Sequence, residues 1–582
     1  MRLKTLLVAG FAAVILASPA AAQYAGDEHD HGAQAQPAAA AAQPEAPTPV
    51  PAQIEDLDWQ TELGFEPEQF RSHVVFLADD LLEGREAGTR GYDLAARYVA
   101  SQFAGLGVLP GNKGSWYQQV SLGRSTAQAG AKLQVGTQSF NSGEGFIFTP
   151  SVQAGPIAVD APLVFVGMGI DAPAHGHDDY RGLDVRGKIV VTVAGQPEGL
   201  RSDVAAHLGS ARAQMAAARG AVGMIVVRPA AAATQAPMAR LATFAGRPAT
   251  SWVKENGAPG APHQQLRFTA VVDEPVAEAM FAGARRSWAQ VRADLDAKRR
   301  PAGFALRPRA RAERTAQTEI FTSPNVVGII PGSDPSVANE YIVLMGHLDH
   351  IGISAAGDDP NADRINNGAM DNATGIATLI EVARKFSDGS NRPRRPILLV
   401  AATAEEKGLL GASYLANNPI VDGKIVGVVN LDMPILTYDF QDVIAFGAEH
   451  SEMGQMVERA ARAMNVGLSD DPLPEQGLFT RSDHYPFVQA GIPSVFLMTG
   501  FQNGGEEKFK GFLGGNYHSP RDQLNQPFSW RAGARFAELN YRIARELANA
   551  PAAPRWYRGS FFGDTLGGNQ PRAPKPAAAA GN

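Results

Sequence analysis

The sequence predicts an α/β fold, a mixed and largely parallel sheet flanked by helices, with a second, β-rich unit inserted into it. Three observations carry this reading. Short, continuous apolar runs recur at Ile342-Val343-Leu344-Met345, from Pro396 to Thr403 and from Ile425 to Leu431, as expected of strands buried on both faces. Helical spacing appears at Ile376, Leu379, Ile380, Val382, Ala383 and Phe386, and again from Trp530 to about Ala548. From about Thr126 the pattern changes to short β-rich runs.

Taken in order, the 582 residues exceed one ordinary domain and provide for two or three cores. A net charge of −7 offers no basic excess for nucleic acid, and no long apolar span argues for a membrane-embedded body. Residues 1–22 have the form of a signal peptide: Arg2 and Lys4, an apolar stretch from Leu6 to about Ala17, then Ala20-Ala21-Ala22 before a cleavage site at Gln23. The expectation is an exported protein, periplasmic or secreted, without stable membrane insertion after cleavage. There is no Cys, so neither disulfides nor thiol ligands are available. Residues 23–53 are rich in Ala, Pro and Gln and read as a disordered linker, with His29 and His31 part of a solvated tail.

Residues 54–125 form the first part of the main domain, with one helix around Phe70, Val74, Val75 and Leu77, another around Leu94, Ala95, Tyr98, Val99 and Phe103, and a loop at 82–88 between them. Residues 126–308 are the insert and its connection, with strands at 162–167, 188–193 and 222–227 and an Ala-rich helix from Ala211 to Arg219. His175 and His177, beside Asp178 and Asp179, read as a solvated loop in preference to a metal site. Residues 309–549 complete the main domain. In the C-terminal tail, residues 550–582, Trp556, Tyr557, Phe561 and Phe562 are expected to pack back on the body, with order ending after about Leu566.

The chemistry-bearing residues stand where the apolar runs stop. His347, Asp349 and His350 follow the first, Glu405 and Glu406 the second, and Asp432 the third; Asp371 lies at the mouth of the helix beginning near Ile376, and His518 arrives on a late loop. Adjacent carboxylates at a strand exit are costly unless something positive sits between them. Imidazole and carboxylate groups at one sheet edge suit two cations bound by nitrogen and oxygen, with zinc the first choice. Neither His-Glu-x-x-His nor Gly-x-Ser-x-Gly occurs.

The inserted segment, with Asp178-Asp179-Tyr180-Arg181-Gly182-Leu183-Asp184 leading into its second strand, resembles a protease-associated domain, a noncatalytic module of exopeptidases. The main domain resembles the co-catalytic dinuclear zinc aminopeptidases, a family that includes glutamate carboxypeptidase-like relatives. The matching motifs are Gly346-His347-Leu348-Asp349, Gly368-Ala369-Met370-Asp371-Asn372, the run from Glu405 to Gly411, Asn430-Leu431-Asp432-Met433, the run from Arg481 to Phe487, and Tyr517-His518-Ser519. The resemblance implies a zinc exopeptidase fold with two Zn2+ per chain: His347 and Asp432 on one, Glu406 and His518 on the other, and Asp371 bridging. It implies Glu405 as general base, Asp349 behind the site accepting from the far nitrogen of His347, Tyr517 donating to the oxyanion and Arg481 contacting the peptide substrate. Asp483 and His484 would brace their loop. A surface salt bridge is the alternative for Arg481. The stretch Ile353 to Ile365, with Asp358, Asp359 and Asp363, departs from the family pattern and reads as a solvated loop in preference to a rim loop that restricts substrates or a calcium site.

The function implied is removal of residues from peptide amino termini. A carboxypeptidase or dipeptidase on the same site is the alternative; a binding protein that has lost the reaction and a single-zinc cyclase fit the ligand set less well.

Overall fold

The computed structural model describes residues 64–576 except 153–154, 261–265, 358 and 389–391. The leader, the linker and the expected start near Ile54 lie outside the described residues. Among the described residues no helix is long and apolar enough to cross a membrane.

The main domain is built on a mixed sheet. Its order is Leu109–Pro110, Phe304–Ile330, Ile397–Ala402, Glu340–His347, Lys424–Leu431, Ser494–Thr499, Asp442–Phe446 and Gly467–Ser469. Ile397–Ala402, Glu340–His347, Lys424–Leu431 and Ser494–Thr499 run parallel, as the apolar runs predict. Alternation explains why those runs are continuous. Ile342 and Leu344 enter one core with the helix Thr374–Ser387, whereas Val343 and Met345 enter another with Leu415 and Phe487. Both faces are covered, so no position is left for a polar residue. The helices Pro67–Leu77, Thr374–Ser387 and Trp530–Asn549 pack together over the first face.

Register then decides where the polar residues fall. His347 pairs with Ala402, and Met345 pairs with Asn430. The strands therefore end level, and the residues just beyond them, Glu405, Glu406 and Asp432, emerge at the same edge as His347.

The inserted unit has a parallel core of its own, Gly155–Phe165, Ile189–Val193, Gly223–Val227 and Phe268–Val272, closed by the antiparallel strand Phe146–Phe148. Helices are interleaved with these strands, among them Ser202–Ser210, Arg212–Ala218, Glu274–Met280 and Trp288–Asp296, so the unit is α/β where the sequence suggested a mainly β module. The chain passes between it and the main domain in the long antiparallel strands Tyr117–Ala127 and Phe304–Ile330, paired from Tyr117 with Val326 to Ala127 with Ala316, and side-chain contacts such as Asp203 with His450 and Trp252 with Ser413 join the two as well. The breaks expected at 126 and 309 fall inside these strands. A boundary read from composition misses them because the second strand alternates buried Ala310 and Ala312 with exposed Arg309 and Arg311, which locally resembles a charged linker.

The tail packs back as expected and remains in contact beyond Leu566, with Ala573 buried beside Tyr557. Trp556 is fully buried and donates its indole N–H to the Gly491 carbonyl at 2.8 Å, while Phe562 lies against His207, His450 and Phe479. Trp556→Ala is expected to cost about 3–5 kcal/mol, read as a fall in the denaturant midpoint. An unchanged midpoint would mean that the tail contributes nothing to the fold.

Candidate active site

Six carboxylates and three imidazoles meet at the strand ends. His347 is buried, and its Nε2 lies 3.2 Å from Asp371 Oδ1 and 3.2 Å from Asp432 Oδ1. His518 Nε2 lies 3.3 Å from Asp371 Oδ2 and 3.1 Å from Glu406 Oε2. The two oxygens of Asp371 thus face two different histidines, each paired with one further carboxylate. His350, fully buried, brings Nδ1 to 2.6 Å from the other oxygen of Glu406. His350, Asp371 and Glu406 form one set of potential metal-ligating groups, and His347, Asp371 and Asp432 form another.

The electrostatics follow from this crowding. Burial opposes charge on His347 and His518, but the carboxylates around them, Asp432, Glu405 and Asp371 for the first and Glu406 and Asp371 for the second, push both well above the ordinary imidazole value. Burial likewise raises Asp371 and Glu406, yet the neighbouring imidazoles hold Asp371 well below the carboxylate range and Glu406 down at about 2. The cluster demands positive charge between its members. Glu405 differs: burial drives it well above its ordinary value, opposed by His347 and reinforced by Glu406, Asp432 and Asp483.

Main-chain geometry is strained around this cluster. Ala404, Met433 and His518 all occupy the left-handed region, at φ 54, 45 and 52°. These residues precede Glu405, follow Asp432 and bear the late imidazole.

Several neighbours hold this arrangement. Asn372 donates to the Leu431 carbonyl at 2.9 Å and accepts from Met433 N–H at 3.1 Å, gripping both sides of Asp432. Ser482 donates to Asp432 Oδ2 and accepts from Asn430 Nδ2 at 2.6 Å. Arg85, buried beneath the site, donates to the carbonyls of Leu77, Leu348, Asn367 and Gly368. Its loop turns through three consecutive left-handed residues, Glu83, Gly84 and Arg85, and a Cβ at Gly84 would stand 2.6 Å from the Asn366 carbonyl oxygen. Glu86 reaches Lys407 at 2.7 Å, beside the Glu405-Glu406 pair.

Asp349 corrects an expectation. His347 Nδ1 meets the main-chain carbonyl of Asp349 at 3.0 Å, and the Asp349 carboxylate instead accepts from Glu405 N–H at 3.0 Å. The strand's exit brings that carbonyl, two residues on, under the ring and leaves the side chain free to reach the next loop. Asp349, pushed up to about 6 by burial, thereby positions the backbone of Glu405. Tyr517 stacks on His518 at 3.7 Å between centroids. Burial, reinforced by Asp371 and Glu406, holds its phenol well above the ordinary value, so the hydroxyl keeps its proton to donate. Arg481, half-buried, acts on that phenol in the opposite sense. His484 packs against Phe479 and Phe496 in the loop with Asp483. The loop 353–365 is closed at its base by pairing of Ile353 with Ile365 and leaves Asp359 and Asp363 exposed. In the insert, Asp178 pairs with Arg181 and Asp179 with Arg300, His175 packs against Phe561, and His177 is buried where a solvated loop was expected.

Comparison with protein families matches residues 325–544 to the one described as Peptidase family M28. The match takes in 220 of the 582 residues. The M28 segment holds every residue of the cluster just described, whereas Arg85 and Glu86 lie upstream of it. Among curated proteins, the chain is 28% identical over 317 residues to leupeptin-inactivating enzyme 1 of Streptomyces exfoliatus, covering 51% of this chain and 62% of that protein. It is 27% identical over 258 residues to a probable glutamate carboxypeptidase VP8 of Zea mays, covering 40% of this chain and 32% of that one. The match thus spans about a third to three-fifths of these relatives' own length. Among solved structures, an aminopeptidase from an Aneurinibacillus species aligns at 19% identity and a TM-score of 0.46, over 84% of this chain and 95% of that one.

Proposed function

We propose that the chain is a two-zinc aminopeptidase. The observation that carries this is the sharing of Asp371, with one oxygen turned to His347 and Asp432 and the other to His518 and Glu406, at contacts of 3.1–3.3 Å. Ligands about 2.0–2.1 Å from one tetrahedral zinc stand about 3.3 Å apart, so both sets have the spacing the ion needs. The donors, imidazole nitrogen and carboxylate oxygen without sulfur, suit zinc as well. His347 and Asp432 would hold one ion, Glu406 and His518 the other, and Asp371 both.

When bound, the ions supply Lewis acidity toward the scissile carbonyl and acidify water. The chain supplies the rest. Glu405, as the carboxylate, takes a proton from the attacking water and returns it to the departing amine; burial raises its affinity for that proton. Tyr517 donates to the oxyanion. Asp349 keeps Glu405 in place through its backbone, and Arg481 contacts the substrate. Glu405 and the carboxylates around it make the site electronegative, which suits a substrate's α-ammonium and favours the amino-terminal polarity over a carboxypeptidase or dipeptidase. Residues 126–308 act as a protease-associated module beside the site, and the leader at 1–22 directs export.

The test is mass spectrometry of products from zinc-loaded protein given a peptide with both ends free, its N-acetylated form and its C-amidated form. Stepwise loss from the amino end of the free and amidated peptides is expected, with the acetylated one untouched. Loss from the carboxyl end that survives acetylation would replace this reading with the carboxypeptidase.

A further inference from the structure

Three consecutive N–H groups lead into Asp371, and one residue takes all of them. Ala369 donates to the main-chain carbonyl of Asp522 at 3.1 Å, Met370 to Asp522 Oδ1 at 2.9 Å, and Asp371 to Asp522 Oδ2 at 3.0 Å. Gln526 Nε2 fixes Oδ1 from behind at 2.6 Å, and Asp522 is fully buried. The turn Ala369–Ala373 opens the helix Thr374–Ser387, and the N–H groups at such an opening find no partner in the helix itself. A side chain just upstream usually accepts them, but Gly368 has none and is held left-handed at φ 59° against the His350 ring. The acceptor comes instead from far along the chain.

That acceptor sits four residues after His518. Asp522 N–H is bonded to the Ser519 carbonyl at 3.0 Å, and Ser519 N–H to the Asn516 carbonyl at 3.2 Å, so the segment from Asn516 to Asp522 is a short, internally bonded loop. One end carries the late imidazole and the other holds the backbone of Asp371.

We propose that Asp522 is a positioning residue that sets the separation of Asp371 Oδ2 from His518 Nε2; this rests on the two-zinc reading. The Asp522 carboxylate adds a direct hydrogen-bonded link between the turn bearing Asp371 and the loop bearing His518, beside the contact of their own side chains and the main-chain bond from Ala369. Met370 N–H also reaches Oδ2 at 3.2 Å, and an Asn in place of Asp522 keeps the volume but offers one oxygen instead of two, so either the Oδ1 contacts to Met370 and Gln526 or the Oδ2 contacts to Met370 and Asp371 are lost to an amide donor.

The experiment is titration of the metal-free full chain with zinc against a chromophoric chelator, for the wild type, Asp522→Asn and Asp522→Ala, at a temperature where circular dichroism shows each folded. The wild type should take two ions. In Asp522→Asn at least one ion should bind about 10–100-fold more weakly. A cobalt-loaded Asp522→Asn sample should show altered visible absorption, and kcat should fall more than KM rises. Stepwise affinities and cobalt spectra equal to wild type in Asn or Ala variants would overturn the positioning role while leaving the two-zinc reading intact. A wild type that takes no zinc would overturn both.

Discussion

Glu405→Gln is expected to keep zinc uptake and to lose about 10²–10⁴-fold in turnover. Gln matches the shape of Glu and retains an oxygen acceptor, but it cannot receive the proton of an attacking water. The folded arrangement should survive, because Asp349 holds position 405 by its main-chain N–H and not by its side chain. Removing the charge should also relieve strain, since Glu405 is buried among Glu406, Asp432 and Asp483. The neighbouring Glu406→Gln serves as contrast. Glu406 faces two imidazoles at 2.6 and 3.1 Å, so its loss should empty one metal position as well as stop turnover. Metal analysis with kcat on a single peptide separates the two variants. Near-normal turnover in Glu405→Gln would remove it from the role of base, whatever its metal content.

What the sequence discloses at this site is what local rules govern. Strands buried on both faces must be continuous apolar runs, and the chain can place polar groups only where those runs end, so His347, Glu405, Glu406 and Asp432 stand out without any knowledge of pairing. Their convergence depends on register, which the runs imply only loosely. The supporting residues leave no such trace. Asp522 precedes the last long helix and reads there as an ordinary helix-entry residue; its partners at 369–371 are visible only in three dimensions. Asn372 lies in a recognisable motif, yet its grip on the backbone either side of Asp432 cannot be inferred from adjacency to Asp371. For Asp349 the motif points to the right neighbourhood and the wrong atom, because whether a side chain or its carbonyl lies under the His347 ring is decided by the path of the backbone at the strand exit.

Arg85 is the largest such omission, and Arg85→Met is expected to lower stability by about 4 kcal/mol or more. A cation in a loop between two helices ordinarily lies in solvent, and nothing in the surrounding residues signals otherwise. In the fold it is buried, with burial pulling the guanidinium down to about 10 against the carboxylates of Asp522, Asp349, Asp371 and Glu406. It serves carbonyls from three separate stretches: Leu77, Leu348, and the pair Asn367 and Gly368. Leu348 sits between His347 and Asp349, and Gly368 opens the turn to Asp371, so one guanidinium fork braces two loops that present candidate ligands. Met would fill much of the volume and supply no donor. Each buried carbonyl left without a partner costs about 1–3 kcal/mol, which local rearrangement or water entry reduces but does not abolish across Leu77, Leu348 and Asn367, while the Gly368 carbonyl keeps the Ala373 N–H at 3.1 Å. Arg85→Lys keeps the charge but presents one nitrogen where the fork presents three, so it should recover only part of the loss. Denaturant unfolding of the metal-free proteins reads this without interference from ion binding. A Met variant within about 1 kcal/mol of wild type would show that these carbonyls find other donors and that the loops keep their places without the guanidinium.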